Sequence, residues 1–356
     1  MSGNEPELGI VGLGQMGGNL AKQADEKGIR VVGMAPSEHE EIQSRGIPVY
    51  DPDETGEFVQ ELSTPRCVIM SVPAGELVDD NVEKFVEHMD DGDVLMDGGN
   101  SFWRDSMRRA DYVHDNDMYY LDVGNSGGLK GARRGACFMV GGKEDGYEIA
   151  KPILDTLSVE GGLVRTGPSG SGHFVKLVHN GVEFGMLQAI AEGVELLEAG
   201  QWDLDMAEIF RNWNNGAVIR SWLVQLMAEG LEQDQPEEVA DVPEDYHSIP
   251  NFVEDTGEVN WLVQEAFKGE TPIPVISQSV QELFKSRGNQ RHAYRAISLM
   301  RHGFGNHPFG REEGIAEERL TGRVDNEARS TLVEDDDERE PVGPSERDIL
   351  GDGDDD

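Results

Sequence analysis

The stretch Leu8-Gly9-Ile10-Val11-Gly12-Leu13-Gly14-Gln15-Met16-Gly17 runs a short apolar strand into the pattern GxGxxG, and a helical pattern from Gln15 to Lys27 follows directly. Gly12 permits a tight turn, Gly14 lets the backbone approach a pyrophosphate, and Gly17 lets the helix pack on the strand. Gln15 and Met16 fall between them and complete the candidate cofactor-binding turn. Glycines alone also make plain turns; the order strand, turn, helix is what points to a dinucleotide.

Around this stretch, short apolar runs alternate with amphipathic segments from Glu7 to about Thr166. The runs are Leu8 to Leu13, Arg30 to Met34, Cys67 to Val72, Val94 to Met96, Met118 to Val123 and Cys137 to Val140. Such alternation predicts parallel strands joined by crossover helices. Residues 1–166 therefore read as a doubly wound, Rossmann-type α/β domain that binds a dinucleotide. After the turn Gly167-Pro168-Ser169-Gly170 the strand signals fade and helical patterns take over, at Gly172 to Leu197, Met206 to Glu229, Glu258 to Phe267 and Val275 to Arg287. Residues 167–310 read as an all-α domain for substrate and oligomerisation. From about Arg311 the chain turns very polar and ends in Asp352-Gly353-Asp354-Asp355-Asp356. Low hydrophobicity with clustered like charge predicts that 311–356 is an acidic tail whose end is disordered.

The choice between NAD and NADP is usually made after the second strand, where Asp or Glu binds the ribose hydroxyls or Arg accommodates a 2′-phosphate. Here the chain reads Met34-Ala35-Pro36-Ser37, with neither. Ser37 can donate to either form, so these residues leave NAD and NADP both open.

The chemistry concentrates in Gly172-His173-Phe174-Val175-Lys176-Leu177-Val178-His179-Asn180-Gly181-Val182-Glu183. On a helix, Lys176, His179, Asn180 and Glu183 stand at i, i+3, i+4 and i+7 and share one face. The plain alternative is a solvated face with a Lys–Glu pair. Against it, the neighbours are apolar, and the helix follows the end of a dinucleotide domain, where ligands bind in α/β sheets. A dehydrogenase needs a base for the alcohol proton, and a lysine with its pKa lowered by burial can serve, with a second ionisable group at i+7 acting as acid. Asn125-Ser126-Gly127-Gly128 and Asp97-Gly98-Gly99-Asn100-Ser101 each follow a strand. Glycine-turn N–H groups and short polar side chains suit a carboxylate and a nicotinamide amide, although either segment could be a turn and nothing more.

These residues resemble the 6-phosphogluconate dehydrogenase family. The likeness runs from residue 8 to about 310, through GLGQMGGN at Gly12 to Asn19, VPAG at Val72 to Gly75, DGGNS at Asp97 to Ser101, NSGGLKGARRG at Asn125 to Gly135 and GHFVKLVHNGVEFGMLQ at Gly172 to Gln188. In the wider β-hydroxyacid dehydrogenase superfamily the lysine is typically followed by an Asn-Asn pair; His179-Asn180 with Glu183 looks like the phosphogluconate branch, in its shorter form. The resemblance implies that Lys176 takes the C3 hydroxyl proton and that Glu183 protonates C1 after carbon dioxide leaves, giving ribulose 5-phosphate. It implies that Asn100, Ser126, Gly127, Gly128, His179 and Asn180 hold the sugar acid, and that Val72, Ala74 and Asn100 join the cofactor site. It further implies that Arg301 and His307, in RHGFGNHPF, reach the substrate phosphate from a partner subunit. Arg287 is a further phosphate candidate, since a guanidinium recognises phosphate bidentately. A site completed by a second copy implies a dimer or a tetramer of closed symmetry. The ligands implied are a small phosphorylated sugar acid and NADP or NAD, with no metal.

Three departures from the family stand out. Phe184 occupies the place of a phosphate-binding Tyr, Glu258-Val259-Asn260-Trp261-Leu262 lacks the usual basic residue and Thr around the Trp, and Ala35-Pro36-Ser37 lacks an NADP-type Asn-Arg-Thr. Two readings therefore stay beside the main one: a dehydrogenase of an unphosphorylated β-hydroxy acid, and a dinucleotide-binding sensor without turnover.

With 356 residues there is chain enough for two domains that each bury a core. Asp and Glu number 70 against 30 Lys and Arg, a formal net charge of -40. Such a surface repels nucleic acid and anionic membranes. No apolar run approaches the ~20 residues of a membrane span. Glu5 and Glu7 stand where a signal peptide carries basic residues, so a cytoplasmic protein is expected. Cys67 and Cys137 fall in apolar runs without metal or redox spacing and are expected to be buried thiols. Self-repulsion of this size favours life in concentrated salt, where the screening length falls to roughly 3 Å. Dialysis to low salt is thus expected to unfold the protein, followed by circular dichroism; full stability there would sink the halophilic reading.

Overall fold

The computed structural model describes residues 6–37, 39–231, 246–288, 291–305 and 309–310. In chain order the elements are β1 (Glu7–Val11), α1 (Gln15–Glu26), β2 (Arg30–Met34), α2 (Glu40–Gln43), β3 (Val49–Tyr50), α3 (Thr55–Gln60), β4 (Cys67–Met70), α4 (Glu76–His88), β5 (Val94–Asp97), α5 (Trp103–His114), β6 (Tyr119–Ser126), α6 (Gly128–Arg134), β7 (Ala136–Gly142), α7 (Glu144–Leu157) and β8 (Ser158–Gly167). Helices α8 (Ser171–Glu198), α9 (Met206–Asn214), α10 (Trp222–Leu231), α11 (Glu258–Lys268), α12 (Pro274–Ser286) and α13 (Arg291–Gly305) follow, with a short 3-10 turn at Tyr246–Ser248 between α10 and α11. The described residues of Met1–Glu195 and Asp205–Arg287 pack as one compact unit, and those of Leu196–Leu204 and Gly288–Asp356 as another.

The strands form one sheet in the order β3-β2-β1-β4-β5-β6-β7-β8. Its central strands are sealed on both faces, as parallel sheets flanked by helices must be: Leu8, Ile10, Val68, Met70, Leu95 and Met96 are almost wholly buried. The parallel expectation holds from β3 to β6 and for β7 with β8, but β7 runs antiparallel to β6. The reason is length. Only residues 127–135 join β6 to β7, fewer than the dozen or so a parallel crossover needs. The sequence pattern also passes over β3, which is two residues long, and β8, an edge strand whose Val159 and Val164 are exposed and break the apolar run.

Two further expectations are corrected. The helix expected from Met206 to Glu229 is two, because Gly216 takes a left-handed φ of 100° and turns the chain between α9 and α10. Cys137 is exposed, since the side chains of β7 alternate and Ala136 and Phe138 take the inward places; Cys67 is buried, which pushes its thiol up to about 12. The acidic tail lies outside the described residues.

Helix α8 is seated on the sheet with almost no clearance. The Asp122 carboxylate on β6 accepts the N–H groups of Gly170 (2.7 Å) and His173 (2.9 Å), which satisfies free donors of the helix start. His173 is buried, its Nδ1 2.7 Å from Ser106 Oγ on α5. A Cβ on Gly172 would stand 2.3 Å from the Asp122 carbonyl oxygen, and one on Gly124 would stand 2.5 Å from the Lys176 Cβ. At the other side, Leu177 packs with Val259, Leu262 and Val280. Gly172→Ala is therefore expected to push α8 off the sheet at a cost of about 1–3 kcal/mol, read as a lower thermal midpoint in molar salt; an unchanged midpoint would show that the contact yields.

Candidate active site

The first turn of the sheet behaves as its glycines require. Gly12 has a φ of 86°, and a Cβ there would meet the Ser71 carbonyl at 2.5 Å; a Cβ on Gly17 would meet the Gly12 carbonyl at 1.9 Å. Gly14 has open space where its side chain would be. That gap leaves the N-terminus of α1 bare for a pyrophosphate, so the turn fits a dinucleotide.

From this turn opens a cavity of about 1270 Å³. Its walls bring together many of the predicted groups: Gly14, Gln15 and Met16 from the β1–α1 turn, Val72 and Ala74 after β4, Asn100 after β5, and Ser126, Gly127 and Gly128 after β6. Lys176, His179, Asn180 and Glu183 enter from α8. Gly12 and Gly17 sit behind the turn and shape it without lining the cavity.

On α8, His179 is the hub. Its Nε2 lies 3.0 Å from Ser126 Oγ, while its Nδ1 lies 3.2 Å from Asn180 Oδ1, 3.5 Å from Lys176 Nζ and 3.8 Å from Glu183 Oε2. The tautomer protonated at Nδ1 satisfies two of these: Nδ1–H donates to Asn180, and Nε2 accepts from Ser126. Burial holds the Lys176 ammonium below its ordinary value of 10.5, against the opposite pull of Glu183, Glu258 and Cys137. A half-buried amine of lowered pKa beside a carboxylate is the equipment of proton transfer.

Sequence reasoning missed part of the wall. Glu258 and Thr256, hydrogen-bonded to each other, face the cavity from the start of α11, and Trp222 faces it from α10. Glu258 could have been suspected as the first charged residue after Gly257, which takes a left-handed φ of 81°; nothing local marks Trp222. α11 is held to α5 by Trp261 against Phe102 (5.2 Å between ring centres) and by Arg104, which pairs with Glu265 at 2.6 Å and lies over Trp103.

Other predicted residues stand apart. Arg287, the further phosphate candidate, does not line the cavity: its guanidinium donates to the Val253 carbonyl (2.7 Å) and pairs with Asp255 (2.9 Å). Arg301 is on α13, in the second unit. His307 lies outside the described residues. Ser37 is also absent from the main cavity; its Oγ is 3.3 Å from His39 Nε2. Nearby, Ala35 and Pro36 line a cleft with Met34, and a groove beyond Gly14 is lined by Lys22, His39, Glu40 and Glu41, where Lys22 is held by Glu41 at 2.5 Å. Among the described residues no group of three or more His, Cys, Asp or Glu could hold a metal, and no helix is long and apolar enough to cross a membrane.

A glycine-cradled dinucleotide turn that opens on a cavity holding a half-buried lysine defines a nicotinamide-dependent dehydrogenase. Residues 7–164 match the family model for the NAD-binding domain of 6-phosphogluconate dehydrogenase, and residues 172–319 match that for its C-terminal domain. The chain belongs to the 6-phosphogluconate dehydrogenase family. It is 37% identical over 308 residues to the NAD(+)-dependent, decarboxylating 6-phosphogluconate dehydrogenase of Haloferax volcanii, covering 86% of this chain and 99% of that one. It is 33% identical over 296 residues to the NADP(+)-dependent enzyme of Bacillus subtilis, covering 80% of this chain but only 62% of that one. Among solved structures, the 6-phosphogluconate dehydrogenase of Plasmodium falciparum, studied apo, with its cofactor NADP+ and with its substrate 6-phosphogluconate, superposes with a TM-score of 0.72 at 28% identity over 86% of this chain and 66% of that one. A 3-hydroxyisobutyrate dehydrogenase of Mycobacterium tuberculosis, 23% identical, shares the fold with a TM-score of 0.60, over 79% and 94% of the two chains.

Proposed function

We propose that this enzyme oxidatively decarboxylates 6-phosphogluconate to ribulose 5-phosphate. The observation that carries the reading is the pairing, on one face of α8, of a half-buried Lys176 and Glu183 on either side of His179, inside the cavity that begins at the dinucleotide turn. A dinucleotide-binding domain over 1–166 and a helical substrate domain over 167–310 would divide the labour.

A bound nicotinamide supplies the hydride acceptor. Neutral Lys176 takes the C3 hydroxyl proton as the carbinol carbon is oxidised. The 3-keto acid then loses carbon dioxide, and the ammonium of Lys176 stabilises the enediolate that forms. Glu183 returns a proton to C1. Ser126, Gly127, Gly128, His179, Asn180 and Asn100 hold the acid in place, since polar groups that converge on one volume fix orientation.

The phosphate is the open side of the site. Lys176 is the one Lys or Arg among the described lining residues, Phe184 offers no hydroxyl, and Arg287 is engaged elsewhere. We assign the phosphate to Arg301 and His307 of a second copy, which makes the active form a dimer or a tetramer. If the phosphate goes unmet instead, the substrate is an unphosphorylated β-hydroxy acid, the alternative to which the bare phosphate side of the cavity points.

For the cofactor we favour NAD in a salt-adapted cytoplasm. A 2′-phosphate in the groove beyond Gly14 would meet Glu40 and Glu41, and Lys22 there is already paired with Glu41. NADP is expected to give a lower kcat/KM than NAD by about tenfold or more, an effect of roughly 1.4 kcal/mol; equal use of both would refute the charge argument.

The decisive assay follows nicotinamide reduction and carbon dioxide release in molar salt with 6-phosphogluconate or gluconate. Coupled release with the phosphorylated acid alone supports the proposal, and equal rates with both move it to the unphosphorylated acid. Lys176→Met should lower kcat at least about 100-fold while dinucleotide still binds. In the wild type kcat/KM should rise with pH as the amine loses its proton, with a half-point below 10.5. A mutant with normal turnover would remove Lys176 from the mechanism.

A further inference from the structure

Behind the cavity, and not among its lining residues, lies a fully buried guanidinium. Arg109 on α5 has a side chain 1% exposed. Its Nε donates to Asp79 Oδ1 at 2.8 Å and its Nη2 to the Gly75 carbonyl at 3.0 Å, while Nη1 reaches Ser101 Oγ (3.3 Å) and Asp97 Oδ2 (3.4 Å). Asp97, itself wholly buried, also accepts from Tyr120 Oη (3.0 Å) and from the Gly99 N–H (3.1 Å). A buried charge set of this kind is weak as a source of stability, because desolvation offsets the attraction and an apolar cluster of equal volume often does as well. What an apolar cluster cannot do is hold polar groups from separate segments at fixed distances.

Those segments matter. Gly75 ends the loop after β4 whose Val72 and Ala74 line the cavity, and Ser101 lies in the loop after β5 whose Asn100 lines it. The two loops already touch: a Cβ on Gly99 would lie 2.9 Å from the Val72 carbonyl. Arg109 grips both from beneath through one rigid, planar fork. We propose that Arg109 is a positioning residue that sets the spacing between these loops, and so places Asn100 relative to the dinucleotide. This inference rests on the reading of the cavity as a site for dinucleotide and acid.

The test uses the full-length protein in molar salt and reads NAD affinity by calorimetry together with kcat and KM. Arg109→Lys keeps the charge but cannot span Asp79, Gly75 and Ser101 at once. It should fold, bind NAD more weakly, and lose kcat/KM for the acid by about tenfold or more, with a larger fall in kcat than the change in thermal midpoint would suggest. In Arg109→Ala, added methylguanidinium should restore part of the NAD affinity and turnover, where equal urea does not. Ser101→Ala leaves the ion pairs intact and decides the matter if Arg109 variants do not fold: a raised KM for the acid at an unchanged thermal midpoint supports the proposal. Wild-type NAD affinity and turnover in Arg109→Lys or in Ser101→Ala overturns it. A wild-type protein that binds no NAD sinks the cavity reading as well, so the two failures are told apart.

Discussion

The seat of α8 on the sheet is the constraint from which the site follows. Asp122 receives the first N–H groups of the helix, and Gly124, Gly141 and Gly172 remove the side chains that would hold helix and strands apart. Lys176 comes one turn later, with its Cβ against Gly124. Because the helix start is fixed in this way, 3.6-residue periodicity places His179, Asn180 and Glu183 without further help. The same close approach buries Lys176 enough to lower its pKa, so a steric constraint becomes an acid–base property.

The strand ends supply the other half of the cavity, and they do so by the logic of open α/β sheets, in which ligand groups gather beyond the carboxyl ends of the strands. β1, β4, β5 and β6 lie side by side, so the loops after them converge although they are far apart in sequence. The reversal at β7, reached by a short connection, sets Cys137 opposite Ser126. Inside this frame Arg66 pairs with Asp90 and Asp93, and Arg109 with Asp79 and Asp97.

Much of this was legible in the chain, and the reason differs from one residue to the next. Gly12, Gly14 and Gly17 are readable because a tight turn, an open backbone and a helix–strand contact each exclude a side chain for a local cause. Lys176 to Glu183 is readable because one helix carries all four groups. Glu258 and Trp222 were not, since they reach the cavity from helices whose own pattern records only which face is buried. The partner of Arg287 is hidden from the sequence for the same reason. A guanidinium near the end of a helix looks free until Asp255, more than thirty residues earlier, is seen to hold it.

Readable from the residues alone were the dinucleotide turn, the change from sheet to helix after Gly167, the shared face of Lys176 and Glu183, and a strongly acidic composition. These depend on spacing, on backbone freedom or on a count of charges, all of which are local or additive. Long-range packing was needed to set β7 antiparallel, turn Cys137 outward, bring Asp255 to Arg287, and bond Arg109 to two loops of the cavity. Those outcomes depend on which distant segments meet, and packing, with the pairing of buried charge that goes with it, settles that.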